Sequence, residues 1–183
     1  MEWIYKEIIK VGKLLFSEGL VSARSGNISR AFMERLYITR TGSSLGALRK
    51  EDIIELPLKE THILDKRASV ELSVHKKIII ETERRAVVHA HPVYTLLVSY
   101  EKEEVVPVDS EGREILGSVP VLELEKPSAS DELAERASSS LKYLPVVIVR
   151  GHGVFAAADE LYKAYSFIST LEQSCKILFL RGS

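Results

Sequence analysis

The sequence holds a single cysteine, Cys175, so it has no internal disulfide and no zinc site built on paired thiolates. It has no excess of charge of either sign. Its 25 Lys+Arg stand against 26 Asp+Glu, which leaves no electrostatic footprint for nucleic acid or an anionic membrane. It also lacks an apolar run that could cross a bilayer. The most apolar stretch, residues 86–100, is shorter than the roughly 20 residues a membrane helix needs, and it contains two histidines and a proline. The opening Met1-Glu2-Trp3-Ile4-Tyr5-Lys6-Glu7 breaks its apolar residues with charge and is unlike a signal peptide, so a cytoplasmic, reducing setting is expected. Repeats, low-complexity tracts and linker-like segments are missing too. What is there is 183 residues, 45% hydrophobic and 28% charged, an ordinary soluble composition. That is enough chain for one domain over residues 1–183 with a continuous core.

Periodicity sketches the elements. Ile4, Ile8, Val11 and Leu15 recur at helical spacing ahead of Gly19. Residues 36–39 and 52–56 read as short strands around a Gly/Ser-rich loop at 41–46, and 71–83 as a helix. Residues 86–91 are β-rich and stop at Pro92, which can itself open a helix through Tyr100. Residues 105–108 and 119–122 are short extended segments, each with a proline that argues for an edge or a strand end. Ser128 and Ser130 offer capping side chains ahead of a helix at 131–141. A buried strand at 146–149 and a long helix at 159–180 complete the pattern. Helices and short strands mixed in one domain predict a layered α/β fold, a sheet covered by helices.

The five histidines carry the chemistry. His89 and His91 lie two apart in a β-like stretch, so both side chains leave the same face. Such a pair is either mutually hydrogen-bonded or half of a divalent metal site. His152, between Gly151 and Gly153 just after a strand, tips the balance toward metal. Three nitrogen ligands with an open position are the arrangement of a catalytic zinc. His75, four residues after Glu71 and on the same helix face, reads as a packing or supporting residue, and His62 as solvent-facing. Glu71 by itself reads as an acidic residue favouring the dipole of its helix.

Five short motifs in order change that last reading. Ser25-Gly26-Asn27-Ile28-Ser29, Ile38-Thr39-Arg40-Thr41-Gly42, Ser69-Val70-Glu71 with His75, Val87-Val88-His89-Ala90-His91 and Gly151-His152-Gly153-Val154 together resemble the class II aldolase/adducin-head family, in particular its L-fuculose-1-phosphate aldolase branch. The resemblance covers nearly the whole chain. It implies a mostly antiparallel central sheet flanked by helices, and one zinc per subunit on His89, His91 and His152. It also implies Glu71 as catalytic acid/base and further metal ligand, and a substrate phosphate held by Gly26, Asn27, Thr41, Gly42 and Ser69. It implies a homotetramer with active sites at subunit interfaces.

The activity so implied is zinc-assisted, reversible cleavage of a small ketose 1-phosphate, such as L-fuculose 1-phosphate, into dihydroxyacetone phosphate and an aldehyde. A pentulose-phosphate 4-epimerase or a thioribulose-phosphate dehydratase would use the same site. A non-catalytic, adducin-like binding module would be expected to have lost the histidines. This sequence departs from the family pattern in several places. Arg40 stands where proline is common, and Val70 where a second phosphate-binding serine is usual. Residues 101–110 hold no counterpart of the tyrosine that a neighbouring subunit supplies in the bacterial aldolase. A catalytic group on an extended tail is likewise not expected after Ser183.

Overall fold

A computed structural model describes residues 1–182. Eight strands form one sheet in the order β3-β2-β1-β4-β8-β7-β6-β5. They are β1 (Asn27–Phe32), β2 (Arg35–Thr39), β3 (Ile53–Pro57), β4 (Ala86–Ala90), β5 (Glu104–Val105), β6 (Val119–Leu122), β7 (Val146–Val149) and β8 (Gly153–Ala158). Every neighbouring pair is antiparallel except β6 and β7, so the sheet is mixed and mostly antiparallel.

Helices cover both faces, and the strands alternate to match. One layer holds α1 (Glu2–Ser17), α3 (Val93–Ser99), α4 (Ser110–Leu116) and α6 (Leu161–Leu180), packed on Val88, Ala90, Ile148 and Ala156. The other holds α2 (Leu72–Thr82) and α5 (Asp131–Leu141), packed on Val87, Val147, Phe155 and Ala157. The predicted stripe of α1 is its buried face: Ile4, Ile8, Val11 and Leu15 are all essentially inaccessible. Burying each such side chain contributes about 1.5–3 kcal/mol.

The helix starts follow capping chemistry. Ser130 accepts the Leu133 amide at 3.0 Å to open α5, so of the two capping serines it is Ser130 that caps. Asp109 accepts the Gly112 amide at 2.7 Å to open α4, a helix that periodicity does not reveal. β1 and β8 are further additions, and the strand expected over 105–108 shrinks to Glu104–Val105. The central strands β1, β4 and β8 place the candidate residues. Asn27 pairs with His89, and His89 with Phe155. Among the described residues no helix is long and apolar enough to cross a membrane.

Candidate active site

His89 lies near the C-terminal end of β4 on the α2/α5 side, and His91 follows just beyond the strand on the same side. His152 sits in the tight turn between β7 and β8, where its amide donates to the Val149 carbonyl at 3.0 Å. The ring nitrogens of the three histidines gather within 4.8 Å of one another. His89 Nδ1 donates to the Val154 carbonyl at 2.9 Å, which fixes the tautomer and leaves Nε2 bare. That Nε2 faces His91 Nε2 at 2.9 Å. The His89 ring is held between Phe155 and His152, with centroids 4.1 and 4.8 Å away. Gly153 is required here: a Cβ would meet the Ala90 carbonyl oxygen at 2.5 Å and the His89 ring at 2.8 Å. Gly26 is required on the other flank, with φ +82 and the His89 carbonyl 2.9 Å from a would-be Cβ.

Glu71 precedes α2 but does not cap it; its carboxylate turns into the histidine cluster and is 2% exposed. Oε1 lies 3.1 Å from His152 Nε2 and accepts from Ser128 Oγ at 3.4 Å. Oε2 accepts from Asn27 Nδ2 at 3.3 Å and lies 3.4 Å from His89 Nε2. A buried polar chain stands behind Asn27. Because the Asn27 amide nitrogen donates to Glu71, its oxygen must accept, and His75 Nε2 donates to it at 2.5 Å. His75 Nδ1 is then bare and accepts from Ser29 Oγ at 2.7 Å. Ser29, His75 and Asn27 thus form a one-way chain of donors ending on Glu71, with His75 in the supporting place its spacing suggested.

Removing the middle of this chain tests it. His75→Leu leaves the Ser29 hydroxyl and the Asn27 side-chain oxygen without their partner, at a cost of about 1–3 kcal/mol in stability. It is expected to lower turnover about 10–100-fold. His75→Gln keeps a donor near Nε2 and is expected to recover most of that loss; steady-state kinetics beside thermal unfolding checks both.

Burial alone would push the Glu71 carboxyl upward. The His89 ring beside it and the contact with His152 outweigh burial and hold it below the usual carboxylate range. Burial pushes His75 and His91 down to about 4, and His89 down to about 3. At neutral pH, then, an ionised carboxylate lies beside the neutral rings of His89 and His91, and with His152 they make a donor set that fits a divalent cation such as zinc. These shifts also predict acid sensitivity. Between pH 6.5 and about 4 the unfolded chain protonates His75 while the folded protein does not, so stability falls as pH falls. The loss for that group is up to about 1.4 kcal/mol per pH unit. Thermal unfolding of the metal-free protein should show this slope, and His75→Leu should show less of it.

The remaining candidates surround the same opening, a cavity of about 170 Å³ lined by Gly26, Asn27, Thr41, Gly42, Ser69, Glu71, His89, His91 and His152. Backbone bonds bring its loops together. Ser69 N donates to the Thr39 carbonyl at 3.0 Å, and Thr41 N to the Arg67 carbonyl at 3.1 Å. Ser69 Oγ accepts the Glu71 amide at 3.3 Å. Asn27 differs from the simple loop donor expected, because its amide already serves Glu71 and His75. Arg24, Ser25, Arg40, Ser43 and Ser128 line it as well, and none of them was expected to hold metal or phosphate. Arg40 is steadied by Asp52, Nη2 to Oδ1 at 2.7 Å. Val70 is at the rim and exposed, and His62 is exposed as expected. Tyr100, just before residues 101–110, packs against Gly151.

Comparison with known proteins points one way. Residues 6–179 match the family described as the Class II Aldolase and Adducin N-terminal domain. An L-fuculose phosphate aldolase of Methanococcus maripaludis is 31% identical over 178 residues, covering 97% of both chains. The crystal structure of L-fuculose-1-phosphate aldolase from Thermus thermophilus superposes with a TM-score of 0.94 at 35% identity, covering 99% of this chain and 95% of that one. A 3-oxo-tetronate 4-phosphate decarboxylase of Haemophilus influenzae is 26% identical, covering 94% of this chain and 85% of its own.

Proposed function

Because this chain belongs to the class II aldolase and adducin N-terminal domain family, we propose that it is a zinc-dependent aldolase acting on a small ketose 1-phosphate such as L-fuculose 1-phosphate. The products are dihydroxyacetone phosphate and an aldehyde, and the reaction is reversible. The observation that carries the reading is one ionised carboxylate, Glu71, set among three histidines. His89, His91 and His152 would hold the ion, with Glu71 as an additional ligand before substrate binds. A divalent ion there supplies Lewis-acid polarisation of a substrate carbonyl.

The chain's own groups supply the rest. In the condensation direction, Glu71 takes a proton from the carbon beside the carbonyl of dihydroxyacetone phosphate. The electron pair left on that carbon forms the new bond to the aldehyde carbon; the resulting alkoxide takes a proton from water, and Glu71 returns its proton to solvent. Cleavage is the reverse. Asn27, held by His75, keeps Glu71 pointed at the reacting carbon. Backbone at Gly26 and Gly42 and the hydroxyls of Thr41 and Ser69 would hold the phosphate, and Ser69 already serves the Glu71 amide. Arg24 and Arg40 line the same cavity and would favour an anionic substrate, making up for the hydroxyl lost at Val70. A cytoplasmic homotetramer with sites at its subunit interfaces belongs to the same proposal.

The decarboxylase relative favours a second reading, in which the same site releases carbon dioxide from a 3-oxo acid phosphate. Incubation with L-fuculose 1-phosphate, L-ribulose 5-phosphate and 3-oxo-tetronate 4-phosphate separates the readings. Release of dihydroxyacetone phosphate from the first compound is expected. Epimerisation of the second, or carbon dioxide from the third without cleavage of the first, would replace the proposal.

A further inference from the structure

The segment between β6 and α5 carries a feature to which the proposed reaction gives no role. Ser128 is exposed, lines the cavity and donates to Glu71 Oε1 at 3.4 Å. Its neighbour Ala129 has φ +48, a left-handed conformation uncommon for a residue with a Cβ and with no polar side chain to favour it. The turn is pinned on both sides. Ser130 Oγ donates to the Lys126 carbonyl at 2.6 Å, and the Glu125 amide donates to Glu132 Oε2 at 3.1 Å. Such conformations persist where surrounding structure over-determines them, and they gather at ligand clamps. Here the outcome is a hydroxyl presented to a buried carboxylate from 57 residues away in sequence.

The two oxygens of Glu71 look in different directions. Oε2 faces Asn27 and His89, on the side of the Gly26 loop. Oε1 faces His152 and Ser128. A substrate whose phosphate lies at the Gly26 and Thr41 loops, with its reacting carbon at Glu71, leads its other end toward Ser128. We infer that Ser128 is a specificity-determining residue for the half of the substrate remote from the phosphate. Its hydroxyl hydrogen-bonds the hydroxyl next to the aldehyde carbon and selects 2-hydroxyaldehydes over plain aldehydes. The inference rests on the aldolase reading and extends it.

The test is condensation of dihydroxyacetone phosphate with L-lactaldehyde and with propanal, which differ by that hydroxyl, in the zinc-loaded wild type, Ser128→Ala and Ser128→Thr. The expected result is a preference for lactaldehyde in kcat/KM that falls about tenfold in Ser128→Ala, the worth of one neutral hydrogen bond, and is retained in Ser128→Thr. Zinc content and melting temperature of Ser128→Ala should equal those of the wild type, because the residue is exposed and not among the histidines. Condensation with an unchanged preference in Ser128→Ala overturns the inference alone. No condensation by the wild type with either aldehyde overturns the aldolase reading and the inference with it.

Discussion

Replacing Glu71 with glutamine should lower kcat for the proposed L-fuculose 1-phosphate cleavage by about 10²–10⁴, the range for losing a positioned acid/base, and should leave zinc bound. The size of the effect follows from the carboxylate's surroundings. Four groups face it: His89, His152, Asn27 and Ser128. Asn27 and Ser128 donate to it and fix its direction, and at neutral pH it is ionised in spite of burial, so it can accept a proton from carbon. Glutamine keeps the shape and accepts no proton. Deuterium exchange into dihydroxyacetone phosphate, followed by NMR without any aldehyde, isolates this step. Wild-type protein should exchange and the Glu71→Gln protein should not. Equal exchange rates would remove Glu71 from the chemistry.

Replacing His89 with alanine should go further and abolish both bound metal and cleavage. His89 is the innermost of the three histidines, 1% exposed, with its Nδ1 locked to the Val154 carbonyl so that Nε2 faces inward. Losing it leaves two nitrogens, from a residue just beyond a strand and from a turn, and both are more accessible. A ring-sized void beside Phe155 also lowers stability, so unfolding must be measured alongside. A folded His89→Ala protein that retains zinc would count against the ligand set, and full activity without metal would count against the mechanism.

The histidine pair was legible because strands alternate with a period of two, which needs only the spacing of His89 and His91. α1 was legible because its apolar stripe is unbroken from Ile4 to Leu15. β1 was hidden because Arg30 is buried on the layer side and pairs with Glu7 at 3.4 Å, so polar residues fall on both faces of the strand. β8 was hidden by its run of alanines, poor strand formers that are buried here because β4 and β7 enclose them. The support behind Glu71 could not be read from spacing, since Asn27 and His75 stand 48 residues apart and meet only when β1 packs beside α2. Net charge concealed Arg24 and Arg40, because a sum near zero says nothing of two cations gathered at one cavity. Ser128 looked like a helix cap, and the cap is Ser130.

The measurement closest to the central claim is the rate of dihydroxyacetone phosphate release from L-fuculose 1-phosphate as chelator-stripped protein is titrated with zinc. The account predicts no release at the start, a rise that levels off at about one zinc per chain, and no rise in the His89→Ala protein. Undiminished release in excess chelator, or the same zinc-dependent rise without His89, would contradict it.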